Sequence, residues 1–311
     1  MTPTILLTVD GSDKDERAFA AAAALAELDN ATIRVVRVFE TPIETSPSRA
    51  AELAAVALRA DVVKNVRQSV ERASATLGRE IMWDVIDGLG VAATLLDDLE
   101  AHDAAFVVMA TRAAGAFGRA IQGSVADRLV RESPRPVVLV PPRADYMSGK
   151  QVTLRRVLVP LDGSLAALRV IPRLLALARA EVLEIVLLQV VRRERVGGHL
   201  MPSDLPGDEI SEGGEWTHVG AAVAERRLGA VAERLRGRGS KTEVRVIESA
   251  DVGAVIVDAI RKELVELIAM STRGASGLQR LIIGSVAEHV VRHSEVPVLL
   301  VTARSGDAIL Q

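Results

Sequence analysis

The sequence predicts an α/β protein built from two tandem domains, each an open, doubly wound, Rossmann-like sheet of five parallel strands. Three observations lead to this prediction. Short runs rich in Val and Ile alternate with longer segments whose apolar residues recur at helical spacing. The segment ILLTVDGS, which ends at Ser12, returns as VLVPLDGS, which ends at Ser164. The segment SVADRLVRESPRPVVLV, which begins at Ser124, returns as SVAEHVVRHSEVPVLLV, which begins at Ser285. Repeated βα units with right-handed crossovers give parallel sheets with helices on both faces.

The individual elements follow from composition and spacing. Buried parallel strands are short and rich in β-branched residues, whereas helices carry Ala, Leu, Glu and Arg at helical spacing. On these grounds the first half has strands at residues 5–9, 33–38, 81–86, 105–110 and 137–140, and helices at residues 16–28, 50–77, 91–101 and 125–132. The second half has strands at residues 157–161, 183–190, 244–247, 267–270 and 298–301.

The second copy contains an insertion. Asp10 and Asp162 are equivalent and lie 152 positions apart, whereas Gly123 and Gly284 are equivalent and lie 161 positions apart. The second copy is therefore nine residues longer between these points, and the polar, glycine-rich segment 192–220 accommodates the difference. We expect a solvated loop there, with a partner surface or a lid over the second site as alternatives.

A change in composition marks the boundary between the copies. Pro-Pro, Ser-Gly and mixed charge interrupt the periodic pattern between residues 141 and 153. The predicted domains therefore cover residues 1–145 and residues 153–305, which are ordinary domain sizes. Their last strands, PVVLV and PVLLV, would be exposed apolar edges if they stayed unpaired, so we expect them to pair in an internal pseudo-dimer. Whether two chains also form a homodimer is left open.

Composition excludes several classes of function. The chain is 49% hydrophobic and 25% charged, which is typical of a globular protein with a real core. A net charge of −3 and an aromatic content of 2% argue against nucleic acid as a partner. The absence of cysteine excludes disulfides, thiolate catalysis and zinc held by sulfur, and it agrees with a cytoplasmic protein. The chain lacks an apolar run of about 18 residues, so we expect no membrane span. Its first apolar run stops at Asp10, which is typical of a strand and not of a signal peptide.

Glycine-bearing loops follow the fourth strand of each half. The second-half loop, MSTRGASGLQRLIIGS, covers residues 270–285, and the first-half loop, MATRAAGAFGRAIQGS, covers residues 109–124. Gly allows backbone N–H groups to face a ligand, and the first turn of a helix offers unpaired N–H donors to a phosphate. In a doubly wound sheet the ligand lies beyond the carboxyl ends of the strands, where the strand order reverses. An Asp at the end of the first strand, Asp10 or Asp162, would face this loop.

These features resemble the universal stress protein family, and the resemblance extends over nearly all of both halves. The family signature is Gly-x2-Gly-x9-Gly-Ser/Thr after the fourth strand, together with an Asp at the end of the first strand. The second half keeps Gly274, Gly284 and Ser285 at the required spacing and replaces only the first glycine, by Ser271. The resemblance therefore implies a site for ATP or a related adenine nucleotide, alone or with Mg²⁺, mainly in the second half.

The first half departs further from the signature. It keeps Gly123 and Ser124, and it carries Ala110 and Ala113 in place of the leading glycines. A residue with a Cβ at positive φ costs about 1 to 2 kcal/mol. We therefore expect a weaker site in the first half wherever its loop keeps the glycine geometry, and one tight nucleotide site per chain.

The resemblance also implies which residues contact the nucleotide. Base and ribose are assigned to the ends of the first and second strands, and the phosphates to the loop and the start of the following helix. In the second half the implied set is Pro160, Leu161, Asp162, Val190, Met270, Ser271, Arg273, Gly274, Gly284, Ser285 and Val286. In the first half the weaker set is Asp10, Val38, Gly123, Ser124 and Val125.

Each of these residues also has a purely structural interpretation. Ser285 with Glu288, and Ser124 with Asp127, match the Ser-x-x-acid pattern of a helix N-cap. An Asp in an Asp-Gly-Ser segment often serves a turn or the next N-cap. An arginine in a loop, such as Arg273, is usually solvated. Both interpretations stay open on the sequence.

The sequence contains no recognisable catalytic or metal-binding pattern. His289 and His293 stand four apart on the last helix, but the segment lacks the His-Glu-x-x-His order of a zinc site. The sequence also lacks the Gly-x-Ser-x-Gly motif of a nucleophile elbow and a pair of acids at a recognisable catalytic spacing. By the resemblance, we expect a cytoplasmic stress-response protein that binds a nucleotide as a regulatory module without substantial turnover. The alternatives are a nucleotide-free dimerisation scaffold of the same fold and a slow ATPase.

Overall fold

A computed structural model gives the arrangement of the strands and helices. The structure describes residues 2–40, 48–111, 124–144, 153–177, 183–191, 195–196, 199–200, 220–272 and 283–302. The first half contains β1 (Thr4–Thr8), α1 (Asp15–Asp29), β2 (Thr32–Glu40), α2 (Arg49–Leu77), β3 (Met82–Gly88), α3 (Val91–Ala101), β4 (Phe106–Ala110), α4 (Ser124–Glu132) and β5 (Val137–Val140). The second half contains β6 (Arg156–Pro160), α5 (Leu165–Leu168), α6 (Val170–Leu177), β7 (Glu184–Val191), β8 (Arg195–Val196), β9 (His199–Leu200), α7 (Ala221–Arg236), β10 (Lys241–Glu248), α8 (Val252–Lys262), β11 (Leu267–Ser271), α9 (Ser285–His293) and β12 (Val298–Val301).

Ten of these strands form one continuous sheet. Its order is β10-β7-β6-β11-β12-β5-β4-β1-β2-β3, and β8 and β9 form a separate two-stranded ribbon. Within each half the five strands run parallel. The strand order reverses between β1 and β4 in the first half and between β6 and β11 in the second. The predicted pair of open, doubly wound sheets of five parallel strands is confirmed.

Helices cover both faces of the sheet because its strands are apolar on both sides. On β1, Ile5 and Leu7 belong to one apolar cluster and Leu6 belongs to the other. All three side chains are at most 1% exposed. Burial on both faces is what a parallel sheet requires, and it explains why the strands read as continuous Val, Ile and Leu runs in the sequence.

Helix α2 is much longer than its counterpart in the second half, with 29 residues against 16 in α7. It begins after Ser48, whose hydroxyl accepts the N–H of Ala51 at 3.1 Å, and it ends at Gly78, whose φ is 63°. Its buried residues are Val66 and Val70, so its N-terminal turns extend past the packed region toward the carboxyl edge of the sheet. Neither α2 nor any other described helix is long and apolar enough to span a membrane.

The insertion in the second half is described only in part. Strands β8 and β9 lie within residues 192–220 and pair antiparallel. The remainder of this segment lies outside the described residues, so its role as a loop, a partner surface or a lid stays a prediction.

The two halves meet through antiparallel pairing of β5 with β12. Val298 lies opposite Leu139, and Leu299 lies opposite Val138. All four side chains are fully buried. The pairing expected from the apolar sequences of these two strands is therefore present, and it turns two half-sheets into one.

A charge placed in this seam tests how much stability the pairing provides. We expect Leu299→Asp to lower the free energy of unfolding by about 4 kcal/mol or more, because the carboxyl group would be buried among apolar side chains without a partner. Leu89→Asp is the control, since Leu89 is 84% exposed, and it should change stability by about 0.5 kcal/mol or less. Urea denaturation measures both, and equal effects of the two substitutions would contradict the buried seam.

Candidate functional site

A cavity of about 470 Å³ lies at the carboxyl ends of β1, β2 and β4 in the first domain. Four of the five residues expected there from the sequence line it, and the fifth, Gly123, lies outside the described residues. The side of the cavity formed by α2 is apolar, with Leu58 and Val62. The lining residues are Thr8, Val9, Asp10, Lys14, Asp15, Arg37, Val38, Phe39, Glu40, Leu58, Val62, Val91, Met109, Ala110, Ser124, Val125 and Ala126.

A charged turn forms one corner of this cavity. Asp10 accepts the N–H of Ser12 at 3.1 Å and forms an ion pair with Lys14. The carboxylate of Asp15, the first residue of α1, accepts the N–H of Gly11 at 2.8 Å and that of Asp10 at 3.3 Å. The two carboxylates together accept three consecutive backbone N–H groups, those of Asp10, Gly11 and Ser12, and Gly11 permits the turn by adopting a φ of +79°.

The pKa values of the two carboxyl groups in the turn are shifted in opposite directions. Burial raises the pKa of Asp10, but hydrogen bonds from Lys14 and Ser12 and the charge of Lys14 outweigh burial and lower the pKa to about 2. Burial, followed by repulsion from Asp10, raises the pKa of Asp15 to about 6, although two backbone N–H groups oppose the shift. Asp15 is therefore the group in this corner that changes charge near neutral pH.

The equivalent turn of the second domain keeps the first Asp, as Asp162, but has Ala166 and Ala167 in place of Lys14 and Asp15. Asp162 accepts the N–H of Ser164 at 2.9 Å and its hydroxyl at 2.6 Å. The Ser164 hydroxyl in turn accepts the N–H of Ala167 at 3.1 Å and caps α5. Gly163, with a φ of +86°, makes the turn possible. The expected structural role of Asp in the Asp-Gly-Ser segment is thus present, and it leaves the ligand-binding interpretation of Asp162 as a prediction.

Sequence reasoning missed four charged residues of the first cavity, Lys14, Asp15, Arg37 and Glu40. Signals existed for two of them, because Lys14 follows Asp10 by four residues, and Arg37 is one of two arginines within a Val-rich strand. The guanidinium of Arg37 donates to the backbone oxygen of Val9 at 3.2 Å. The second-domain residues 152 positions beyond Lys14, Asp15 and Arg37 are Ala166, Ala167 and Gln189.

The backbone at the ends of β4 and β11, just before the two glycine-bearing loops, bears on the penalty expected for non-glycine residues. Ala110 and Ser271 are the last residues of β4 and β11 and have no positive φ. The backbone penalty, which is expected wherever the loop keeps a positive φ, therefore does not arise at these two positions, because extended backbone accepts any side chain. Among described non-glycine residues, positive φ occurs at Asn30, Asp103 and Leu264. The loop positions Ala113 and Gly274 lie outside the described residues.

The start of α9 corrects one expectation. Gly284, with φ of −61° and ψ of 149°, is the N-cap residue, and its carbonyl accepts the N–H of Glu288 at 2.9 Å. The N–H of Gly284 donates to the backbone oxygen of Thr272 at 3.0 Å. Capping by Ser285 is therefore wrong, because extended backbone at Gly284 makes Ser285 the first helical residue, and its side chain is exposed. Ser124 is likewise exposed and is the first residue of α4.

The other residues expected in the second site lie on elements that end or begin at the carboxyl edge of the second half-sheet. The N–H of Leu161 donates to the oxygen of Leu188 at 2.8 Å, so Leu161 stays attached to β7. The positions are Pro160 at the end of β6, Leu161 directly after it, Val190 in β7, Met270 in β11 and Val286 in α9. Arg273 and Gly274 lie outside the described residues.

The histidine pair on α9 does not form a recognisable metal centre. The rings of His289 and His293 are 4.2 Å apart between centroids, and Nδ1 of His293 hydrogen-bonds to the backbone oxygen of His289 at 2.9 Å. Within the part of the chain that the structure describes, no three His, Asp or Glu side chains are grouped so that they could hold a metal ion.

Two stretches of the chain, residues 1–141 and residues 153–302, match the sequence pattern of the Universal stress protein family. The chain belongs to this family. A universal stress protein of Mycolicibacterium smegmatis is 26% identical over 311 residues, covering 96% of this chain and 97% of that protein. A universal stress protein of Thermus aquaticus is 31% identical over 140 residues, which is 45% of this chain and 99% of that protein. This single-domain match agrees with the internal repeat.

The fold is also found among solved structures. The crystal structure of a universal stress protein from Archaeoglobus fulgidus superposes with a TM-score of 0.65 at 18% identity, covering 96% of this chain and 98% of that one. The likeness shows that the two-domain architecture is shared.

The raised pKa of Asp15 predicts a pH-dependent effect on stability. At pH 7.5 Asp15→Asn should raise the free energy of unfolding by about 1 kcal/mol, because it removes a charge that the folded state disfavours while an amide oxygen can still accept the Gly11 N–H. The advantage should shrink as the pH falls from 6 toward 4, since the wild-type carboxyl then takes up a proton in the folded state. Thermal unfolding across this range measures it, with Asp13→Asn, at an exposed position of the same turn, as the control. A pH-independent advantage would contradict the assignment.

Proposed function

We propose that this universal stress protein binds ATP or a related adenine nucleotide, alone or with Mg²⁺, as a regulatory module in the cytoplasm. The main site is assigned to the second domain and a weaker one to the first. One observation carries the proposal: residues chosen from the sequence for the first site, Asp10, Val38, Ser124 and Val125, all line one cavity. Its volume of about 470 Å³ is ordinary for a small-molecule site, and it lies where doubly wound sheets bind ligands.

Backbone donors at the start of α9 would receive the phosphates. The first turn of a helix has N–H groups without intrahelical partners and carries partial positive charge. Because the N–H of Gly284 is already bonded to Thr272, this role passes to the N–H groups of Ser285 and Val286. Gly284 would then serve by lacking a side chain, which lets the phosphates approach the helix.

Mg²⁺ would be bound mainly through the phosphates. In the first cavity Asp10 is paired with Lys14, and Asp15 accepts two backbone N–H groups, so both carboxylates are already engaged. Mg²⁺ in nucleotide sites commonly keeps several waters and takes its remaining ligands from the phosphates.

The same contacts support binding without substantial turnover. A general base must lie within hydrogen-bond reach of an attacking water and be able to accept its proton. Among the described residues of the first cavity, Asp10 is held by Lys14 and Asp15 is held by the turn. In the first cavity these contacts leave neither Asp10 nor Asp15 free to take a proton from water without breaking a bond of the turn.

The scaffold alternative has less support, because the apolar edges of the two half-sheets are already used within the chain. The remaining edge strands, β3 and β10, carry charged residues, namely Asp84, Asp87, Glu243 and Arg245. Charges on an edge strand oppose extension of the sheet by another chain. A homodimer would require a different surface.

The substitution Gly284→Ala should weaken nucleotide binding without changing the stability of the fold much. A Cβ at Gly284 would meet the Thr272 oxygen at 3.5 Å, an ordinary contact, and its φ of −61° suits any residue. The variant should therefore stay within about 1 kcal/mol of wild-type stability. We expect calorimetric titration with ATP and Mg²⁺ to show one tight site in the wild type and at least a tenfold weaker one in Gly284→Ala, because the new methyl group stands in the path of the phosphates.

Gly123→Ala is the matched variant in the first domain and should leave the tight site unchanged. Wild-type protein that neither binds ATP in the titration nor releases an adenine nucleotide on denaturation would overturn the proposal in favour of the scaffold. Loss of the tight site from Gly123→Ala alone would show that the first domain holds the working site.

A further inference from the structure

The side chain of Gln189 is buried without a satisfied amide oxygen. It lies on β7, is 4% exposed, and shares its face of the strand with the buried Ile185 and Leu187. Its Oε1 is closed off from solvent and has no hydrogen-bond partner. A buried polar atom in this state lowers the stability of the fold, so its presence calls for a physical reason.

The position of Gln189 connects it with the second candidate site. Its Nε2 lies 3.4 Å from where a Cβ would stand on Gly163, so the amide packs directly beneath the turn from Asp162 to Ser164. The next residue, Val190, is one of those expected to contact the nucleotide. Gln189 thus lies at the floor of the region where β6 and β7 end.

The internal repeat supplies an independent observation. Arg37 occupies the equivalent position of the first domain, 152 residues earlier, and it lines the cavity there. Its guanidinium is fixed by donating to the Val9 oxygen at 3.2 Å. A side chain at this position therefore faces the crevice in the domain where the cavity is described, and the amide of Gln189 has no comparable bond through its oxygen.

We infer that Gln189 determines ligand specificity in the second site, by turning its amide oxygen toward the nucleotide and accepting a hydrogen bond from a hydroxyl or amino group. This inference rests on the proposed function. Because Oε1 has no hydrogen-bond partner in the free protein, rotation of the amide breaks no hydrogen bond of that oxygen. The ligand then supplies the missing partner. Arg37 has only donors, so the two sites would select opposite hydrogen-bonding groups at equivalent positions.

The test compares ligands that lack one donor each. Wild-type protein and Gln189→Met are titrated with ATP and with three analogues. The analogues are 2′-deoxyATP and 3′-deoxyATP, each of which lacks one ribose hydroxyl, and inosine triphosphate, which lacks the amino group of the base. We expect the wild type to bind ATP about tenfold more tightly than one of the three analogues, as one hydrogen bond would give. In Gln189→Met this preference should disappear, with ATP binding weakened to the level of that analogue.

Stability of the free protein gives a readout that distinguishes ligand recognition from packing. Met fills a similar volume without a polar group, so Gln189→Met should unfold at a higher temperature than the wild type in the absence of nucleotide and gain less from added ATP. Gln68→Met, at an exposed glutamine of α2, is the control and should alter neither the preference among ligands nor the gain from ATP.

The outcomes separate the inference from the proposed function. Equal wild-type affinity for all four nucleotides overturns the inference, and so does a preference that survives in Gln189→Met. A wild type that binds none of them overturns the proposed function and this inference with it.

Discussion

The antiparallel pairing of β5 with β12 determines the arrangement of both candidate sites. Strands within each half are parallel, and the two halves are joined antiparallel. The carboxyl ends of the two sets of strands therefore point in opposite directions in one ten-stranded sheet. The two candidate sites therefore lie at opposite ends of the strands, with the fully buried seam between the half-sheets. The same pairing removes two apolar edges that would otherwise be exposed to other chains.

The two crevices share a backbone plan but fix it with different chemistry. In the first, the turn after β1 is held by a buried carboxylate, Asp15, beside the Asp10–Lys14 ion pair. In the second, Asp162 accepts hydrogen bonds from Ser164, and the hydroxyl of Ser164 caps α5. A buried acid with a raised pKa makes the first turn sensitive to pH, whereas a neutral cap does not. The two copies of this corner thus differ in charge, because Ala166 and Ala167 stand where the first copy has Lys14 and Asp15.

The fold could be predicted from the sequence because its signals are repeated and local. Val-rich runs and the duplicated Asp-Gly-Ser and Gly-Ser segments were enough to place the strands and the two halves. Backbone detail at the site was not predictable in the same way. The N-cap of α9 depends on the extended ψ of Gly284, and the absence of strain at Ala110 depends on β4 continuing to that residue. The contacts of Asp15 and Gln189 required the packed structure, since burial and missing partners have no signature in the residue order.

In the proposed complex the second domain holds a nucleotide with its phosphates at the start of α9. A crystal structure of the chain grown with saturating ATP and Mg²⁺ tests this claim most directly. We expect nucleotide density beside Asp162 and Val190, with phosphate oxygens within hydrogen-bond distance of the backbone N–H groups of Ser285 and Val286. Density confined to the first domain, or an empty crevice in both domains at saturating nucleotide, would contradict the account.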